Sequence, residues 1–303
     1  MNEAFIIDTE LRNQFVSENS DSEEVLKPIL RGRDTRKYYC NFKGLYLINA
    51  HNGLRSENIP RIKIEVDFPE IFDYLKSFSP KIQKRSDKGM HWTNLRNCAY
   101  MSEIEKDKIV YSEIVSEPQF YFDTKRFYPE ASSFLITGEN LKWLIAFLNS
   151  EAITVMFKIF YAGGELVGKY RYKKSFLENL PIPFPIDTYD KTVTILVDYL
   201  TFYKGLYKDK SKESAISNYY ELVIDTIVYE ILFKSEFQSV NKTILKHLKD
   251  LKPINDSMSE EEKLGTIQSE YERLYHPDHP VRFAIETLDS IEEVRIIREA
   301  LKS

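Results

Sequence analysis

The chain has 303 residues, 43% hydrophobic and 29% charged, with a formal net charge of −5. That composition suits one large or two modest soluble domains and excludes a collagenous, disordered or disulfide-framed protein, since only Cys40 and Cys98 are present. No run approaches the length of a membrane span, and the Met1-Asn2-Glu3-Ala4 start lacks a signal peptide's basic flank and apolar core, so a cytoplasmic location with reduced thiols is expected.

Along the chain, short β-rich runs appear at Leu45-Tyr46-Leu47-Ile48, Lys108-Ile109-Val110-Tyr111, Gln119-Phe120-Tyr121-Phe122 and Ser133 to Thr137. Between them, one helix follows Pro69, with Ile71, Leu75 and Phe78 at helical spacing. A second begins near Gly138-Glu139-Asn140, with Leu141, Leu144, Ile145 and Leu148 on one face. The irregular order predicts α+β rather than repeating βαβ units. Pro181, Pro183 and Pro185 then remove backbone donors and force extended geometry, which places a domain boundary near residue 185. Beyond it the chain is predicted all-α, with helices over Thr188–Tyr207, Ser214–Phe233, Val240–Leu251, Ser259–Leu274 and Val281–Leu301. The expected division is therefore a mixed domain over 1–185 and a helical domain over 186–303.

Charge is unevenly placed. From Val25 to Tyr100, 15 Lys and Arg face 7 Asp and Glu, whereas the part after Pro185 is net acidic. A basic first third fits a surface for phosphates, and an acidic remainder faces something else. Within that third, Arg31, Arg33, Arg36 and Lys37 form the densest cluster, suited to bidentate guanine contacts or phosphate clamps, or equally to a surface turn with an ion pair to Asp34. Lys81, Lys84, Arg85 and Lys88, followed by His91 and Trp92, read either as charges complementing a helix C-terminus or as a turn lying along a phosphate backbone. Lys169-Tyr170-Arg171-Tyr172-Lys173-Lys174 alternates basic and aromatic residues after a glycine-rich loop. It fits nucleic-acid contact, or a strand with its tyrosines in the core and its charges in water.

Four other features are set aside on chemistry. Gly163 to Lys169 fills seven positions of a phosphate loop, but Tyr170 stands where Ser or Thr would hold magnesium, and the segment follows a helix. Asp256 with Glu261-Glu262-Lys263 resembles a nuclease acid-lysine pattern but sits where a helix start calls for carboxylates. His276-Pro277-Asp278-His279-Pro280 reads as a linker, with too few ligands for a metal, and His51 before Asn52-Gly53 reads as a turn residue.

The ordered blocks Val25-Leu26-Lys27-Pro28-Ile29-Leu30-Arg31-Gly32-Arg33-Asp34, Trp92 to Tyr100, Phe134 to Lys142 and Tyr170 to Pro183 resemble the C-terminal specificity region of TaqI-like adenine methyltransferases and of type IIG restriction–modification enzymes. The resemblance spans about residues 5 to 185. It implies a target-recognition domain that faces double-stranded DNA beside a methyltransferase that flips an adenine. That catalytic half has its own marks, an Asn or Asp before Pro-Pro-Tyr or Pro-Pro-Phe and a glycine-rich S-adenosylmethionine loop, and this sequence contains neither. The resemblance thus implies a specificity part with no catalytic centre of its own and no cofactor in this chain. S-adenosylmethionine and magnesium would belong to a methyltransferase and endonuclease domain or subunit as its partner. The alternative left open is an assembly module or truncated relic that binds a protein partner and no longer holds DNA alone.

Overall fold

The computed structural model describes residues 2–131, 133–162, 168–208 and 214–302. The glycine-rich stretch set aside above lies outside them from Gly163 to Val167. The architecture is α+β, passing into an all-α region toward the C-terminus, and the chain forms two compact units. The first comprises Met1–Asp34, Phe42–Lys108 and Asp123–Thr137, and the second Thr35–Asn41, Ile109–Phe122 and Gly138–Ser303.

In the first unit, strands Ile6–Asp8, Leu45–Ile48, Leu26–Leu30 and Tyr128–Pro129 form a sheet in that order. The first three are antiparallel, with Ile7 opposite Tyr46 and Lys27 opposite Leu47, and the last pair is parallel. Helix Thr9–Glu18 starts where Asp8 accepts the Leu11 amide, which satisfies one of the first-turn donors. Helix Pro69–Lys76 opens on a proline, whose missing N–H costs nothing there, and buries Ile71 and Leu75. With Phe5, Ile7, Phe15, Leu26, Ile48 and Ile64 these side chains make one core. Phe78 lies past the end of that helix and is 40% exposed, so it is not on the buried stripe as expected. Lys108 and Asp123, both fully buried, pair at 2.7 Å. The Lys108 ammonium also donates to the Ile104 carbonyl, and Asp123 accepts the Lys125 and Phe127 amides, so neither charge lacks compensation.

In the second unit, helices Asp187–Tyr207 and Ser214–Leu232 pack side by side with Leu141–Leu148. Pro181–Pro185 lies within this unit, where the Trp143 indole donates to the Pro183 carbonyl. Buried tyrosines supply much of the core, and two of them spend their hydroxyls on carbonyls, Tyr219 on Leu274 and Tyr220 on Ile267.

Two expected helices are corrected. Val240–Leu251 contains only the short turn Leu245–His247, and Val281–Leu301 is two helices, Pro280–Glu286 and Glu292–Lys302, with a single turn Leu288–Ser290 between them. Asn241 takes a left-handed conformation, and the buried Lys242 then donates to the Thr287 carbonyl and the Ser290 hydroxyl. Among the described residues no single helix is long and apolar enough to cross a membrane.

Candidate nucleic-acid interface

The Arg-Gly-Arg-Asp segment is a tight turn, Gly32–Asp34, closed by the Asp34 amide on the Arg31 carbonyl. Arg31 Nε lies 2.5 Å from Asp34 Oδ2, and that hydrogen bond raises the guanidinium pKa. Arg33 is exposed. Arg36 donates to the Thr35 carbonyl at 2.8 Å, and Lys37 pairs with Glu221 at 2.6 Å, whose other oxygen meets Lys204. Of the four clustered cations, Arg31 and Lys37 are thus committed to internal carboxylates. Arg33 and Arg36 belong to different units despite lying three residues apart.

The Lys81–Lys88 run does not sit at a helix C-terminus, because the helix ends at Lys76. It occupies turns held by buried polar side chains. Arg85 is 2% exposed and donates to the Trp92 and Asn94 carbonyls, its guanidinium 4.4 Å from the Phe5 ring centre. Its assignment as a surface contact is corrected: its donors face inward, onto carbonyls that helix or sheet does not satisfy. Lys84 and Lys88 are exposed, Lys88 reaching the Gln83 carbonyl. Trp92 is half-buried and packs 5.5 Å from the Phe72 ring.

Two residues not singled out from the sequence organise this region. Asn94, fully buried, donates to the Ala50 and Ile62 carbonyls at 3.1 and 2.9 Å and accepts from Arg61 at 2.7 Å. Asn52 donates to the Leu95 carbonyl and accepts the Met90 amide. Gly89 lets Asn52 approach, since a Cβ there would meet its Oδ1 at 2.0 Å. His51 is a turn residue, its Nδ1 accepting the Gly53 amide. Three irregular segments, 49–53, 59–62 and 85–95, are therefore fixed without regular secondary structure, and in or directly beside the last of them Lys84, Lys88, Met90 and Arg96 are exposed to solvent. No sequence pattern marks a buried asparagine of this kind.

In the second unit, Tyr170–Arg171 pairs antiparallel with Ile114–Val115. Tyr172 is 3% exposed and stacks on Phe157 with ring centres 4.2 Å apart and planes 5° apart. Tyr170 is half-buried under the Lys158 ammonium at 4.9 Å. Arg171 is exposed while held by Glu113 at 2.9 Å, and Lys173 lies 5.6 Å over the Phe176 ring. Lys169 and Lys174 are exposed. The segment thus combines both readings of its sequence: Tyr172 belongs to the core, and the cations face water around it.

The motifs set aside have ordinary structural work. Glu262 closes a reciprocal cap with Ser259, and His279 accepts the Val281 amide at a helix start. Among the described residues no group of three or more His, Cys, Asp or Glu side chains could hold a metal ion.

Residues 27–182 match the family model of the TaqI-like C-terminal specificity domain. Among solved structures, the chain is similar to a type IIL restriction–modification enzyme, MmeI, in complex with DNA, at 16% identity and a TM-score of 0.48 over 89% of this chain and 34% of that one. The chain therefore spans about a third of that protein's length. The family match covers more than half of the 303 residues, and the chain belongs to the TaqI-like C-terminal specificity domain family.

Proposed function

We propose that this chain recognises a specific sequence in double-stranded DNA as the specificity part of a type IIG-like restriction–modification enzyme. In this reading the chain has no catalytic centre of its own, works in the cytoplasm, and is served by a methyltransferase and endonuclease domain or subunit that brings S-adenosylmethionine and magnesium. The family match over residues 27–182 carries the reading. Two exposed basic surfaces on firmly held segments support it: Lys84, Lys88 and Arg96 in the first unit, and Lys169, Arg171 and Lys174 in the second. Phosphate contacts from such residues supply affinity and register, and a few side chains from the loops tied by Asn94 read base edges. In the domain division proposed here, residues 1–185 recognise DNA and 186–303 contact or space the catalytic partner.

The test is binding of random-sequence duplexes by the full chain, alone and with its methyltransferase partner, followed by sequencing of the bound pool. Neutralising about five phosphates gives a slope of about −4.5 in log affinity against log salt, or about a 500-fold loss between 50 and 200 mM. A salt-dependent complex and an enriched motif are expected. Salt-independent or absent binding in both formats overturns the reading.

A second reading, a protein-interaction module, is favoured by one observation: Val240, Tyr275 and Phe283 are 44%, 41% and 61% exposed in the helical region. Capture of a methyltransferase chain without DNA, together with no DNA binding by the complex, would select it.

A further inference from the structure

Ile159 and Phe160, 60% and 75% exposed, stand at the tip of the π-turn Phe157–Tyr161, which ends helix Glu151–Met156. Such exposure of two adjacent large apolar side chains has no folding benefit, and π-turns within helices recur at functional sites. The turn is rigidly based. Ser150 caps the helix, Asp225 accepts the Glu151 amide at 2.8 Å, and fully buried Phe157 stacks on Tyr172. That stack and the Lys158–Tyr170 contact fasten the turn directly to the basic segment Lys169 to Lys174. Helix Lys174–Leu177 also packs on the turn. The apolar tip is thereby joined to Lys158, Lys169, Arg171, Lys173 and Lys174. Among the described residues the carboxylates near them include Glu113, which is paired with Arg171, the exposed Glu117, and the exposed Glu178 at the end of helix Lys174–Leu177.

We infer that Ile159 and Phe160 form a wedge that enters a base-pair step of duplex DNA while the adjoining cations hold the flanking phosphates. The inference rests on the DNA-recognition reading above. Cations fastened to the same turn as an apolar pair favour a polyanion, and on duplex DNA the broad apolar surface that an aromatic ring can cover lies between base pairs, the thymine methyls of the major groove offering far less. Opening a step kinks the duplex, and the bend brings further backbone onto the basic residues. A protein partner for the same tip would have to present an apolar pocket rimmed with carboxylates.

The experiment uses the full chain and a 30-base-pair duplex carrying the enriched motif, with fluorophores at both ends. Wild type is expected to raise energy transfer at saturation, reporting a bend. Phe160→Ala is expected to abolish the rise and to weaken binding about tenfold with the salt slope unchanged, because stacking and not charge is lost. Phe160→Trp retains the bend. The double change Lys169→Ala, Lys174→Ala lowers the salt slope by about 2 while the saturated complex stays bent. Since Phe160 is exposed, unchanged circular dichroism verifies the fold. Phe160→Ala complexes that bend DNA as wild type does overturn the wedge and leave DNA recognition standing. So does a Phe160→Ala effect confined to the oligomeric state, which would assign the tip to a second copy of the chain. If wild type binds no duplex, the recognition reading itself fails.

Discussion

Replacing Asn94 by alanine tests whether one buried amide holds the irregular loops of the first unit. The side chain makes two good hydrogen bonds to the Ala50 and Ile62 carbonyls and accepts a third from the Arg61 guanidinium. Neutral bonds contribute about 1 kcal/mol each and a bond to a charged partner about 1.5 to 3. Arg61 keeps Glu65 at 2.5 Å, which offsets part of its loss. The buried Ala50 carbonyl keeps the Leu95 amide and loses one of its two donors. The expected destabilisation of the loops is therefore about 3 kcal/mol, or about a 150-fold change in an opening equilibrium. Hydrogen exchange reads it residue by residue: the Leu95 amide on Ala50, the Ile62 amide on His51 and the Gly89 amide on Asn94 should lose protection together. Asn94→Asp, which sets a carboxylate against two carbonyls, should be worse than alanine. Exchange at these three amides within fivefold of wild type in Asn94→Ala would refute the role of the hub.

In the second unit, Glu221→Gln leaves Lys37 and Lys204 without their shared carboxylate, and urea unfolding should show a loss of about 3 to 5 kcal/mol. Asp225 behaves differently, since burial pushes its carboxyl up to about 7 against the opposing pull of Lys37, with Glu151 and Glu221 adding to the rise. Between about pH 4 and 7 the folded chain then holds a proton that the unfolded chain has released, so this group's contribution to stability falls as pH rises through that window. Asp225→Asn, which keeps an oxygen for the Glu151 amide, should flatten that part of the stability profile measured by thermal unfolding. For the buried pair in the first unit, Asp123→Leu should cost more than Lys108→Met in chemical denaturation. The aspartate removal also strips the acceptor from the Lys125 and Phe127 amides, which methionine at 108 leaves in place.

Elements whose signal is local periodicity were readable from the sequence. The strand Leu45–Ile48 matches its β-branched and aromatic run, and helix Asp187–Tyr207 begins one residue from where its apolar spacing predicts. The misses share a non-local cause. Lys242 follows a left-handed Asn241, enters the interior and binds Thr287 and Ser290, while the Glu230 carboxylate takes the Ile244 and Leu245 amides. One lysine thus prevents a helix over Val240–Leu251 and also stabilises the break that splits the last helix. The lysine acts across 45 and 48 residues, far beyond a window of eighteen. The candidate site divides the same way: the basic segment at Lys169–Lys174 was visible as composition, whereas Asn94 and Asn52 act through partners more than thirty residues distant.

The blocks by which the sequence is identified mix residues that hold the fold with residues that meet DNA in the proposed function, and burial separates the two kinds. Arg31 closes a turn on Asp34, the Lys-Pro-Ile-Leu stretch before it is a sheet strand, Asn94 lies in the core of its block, and Tyr172 stacks on Phe157. Side chains so constrained by packing admit few substitutes, which makes their spacing a usable signature of a fold. Arg33, Lys84, Lys88, Arg96, Lys169 and Lys174 are exposed on that frame. Replacing an exposed cation perturbs stability by a fraction of a kcal/mol, roughly ±0.5, against about 3 for the asparagine hub. A domain built in this way can change what its surface reads without unfolding, because the interactions that fix its loops are inside it.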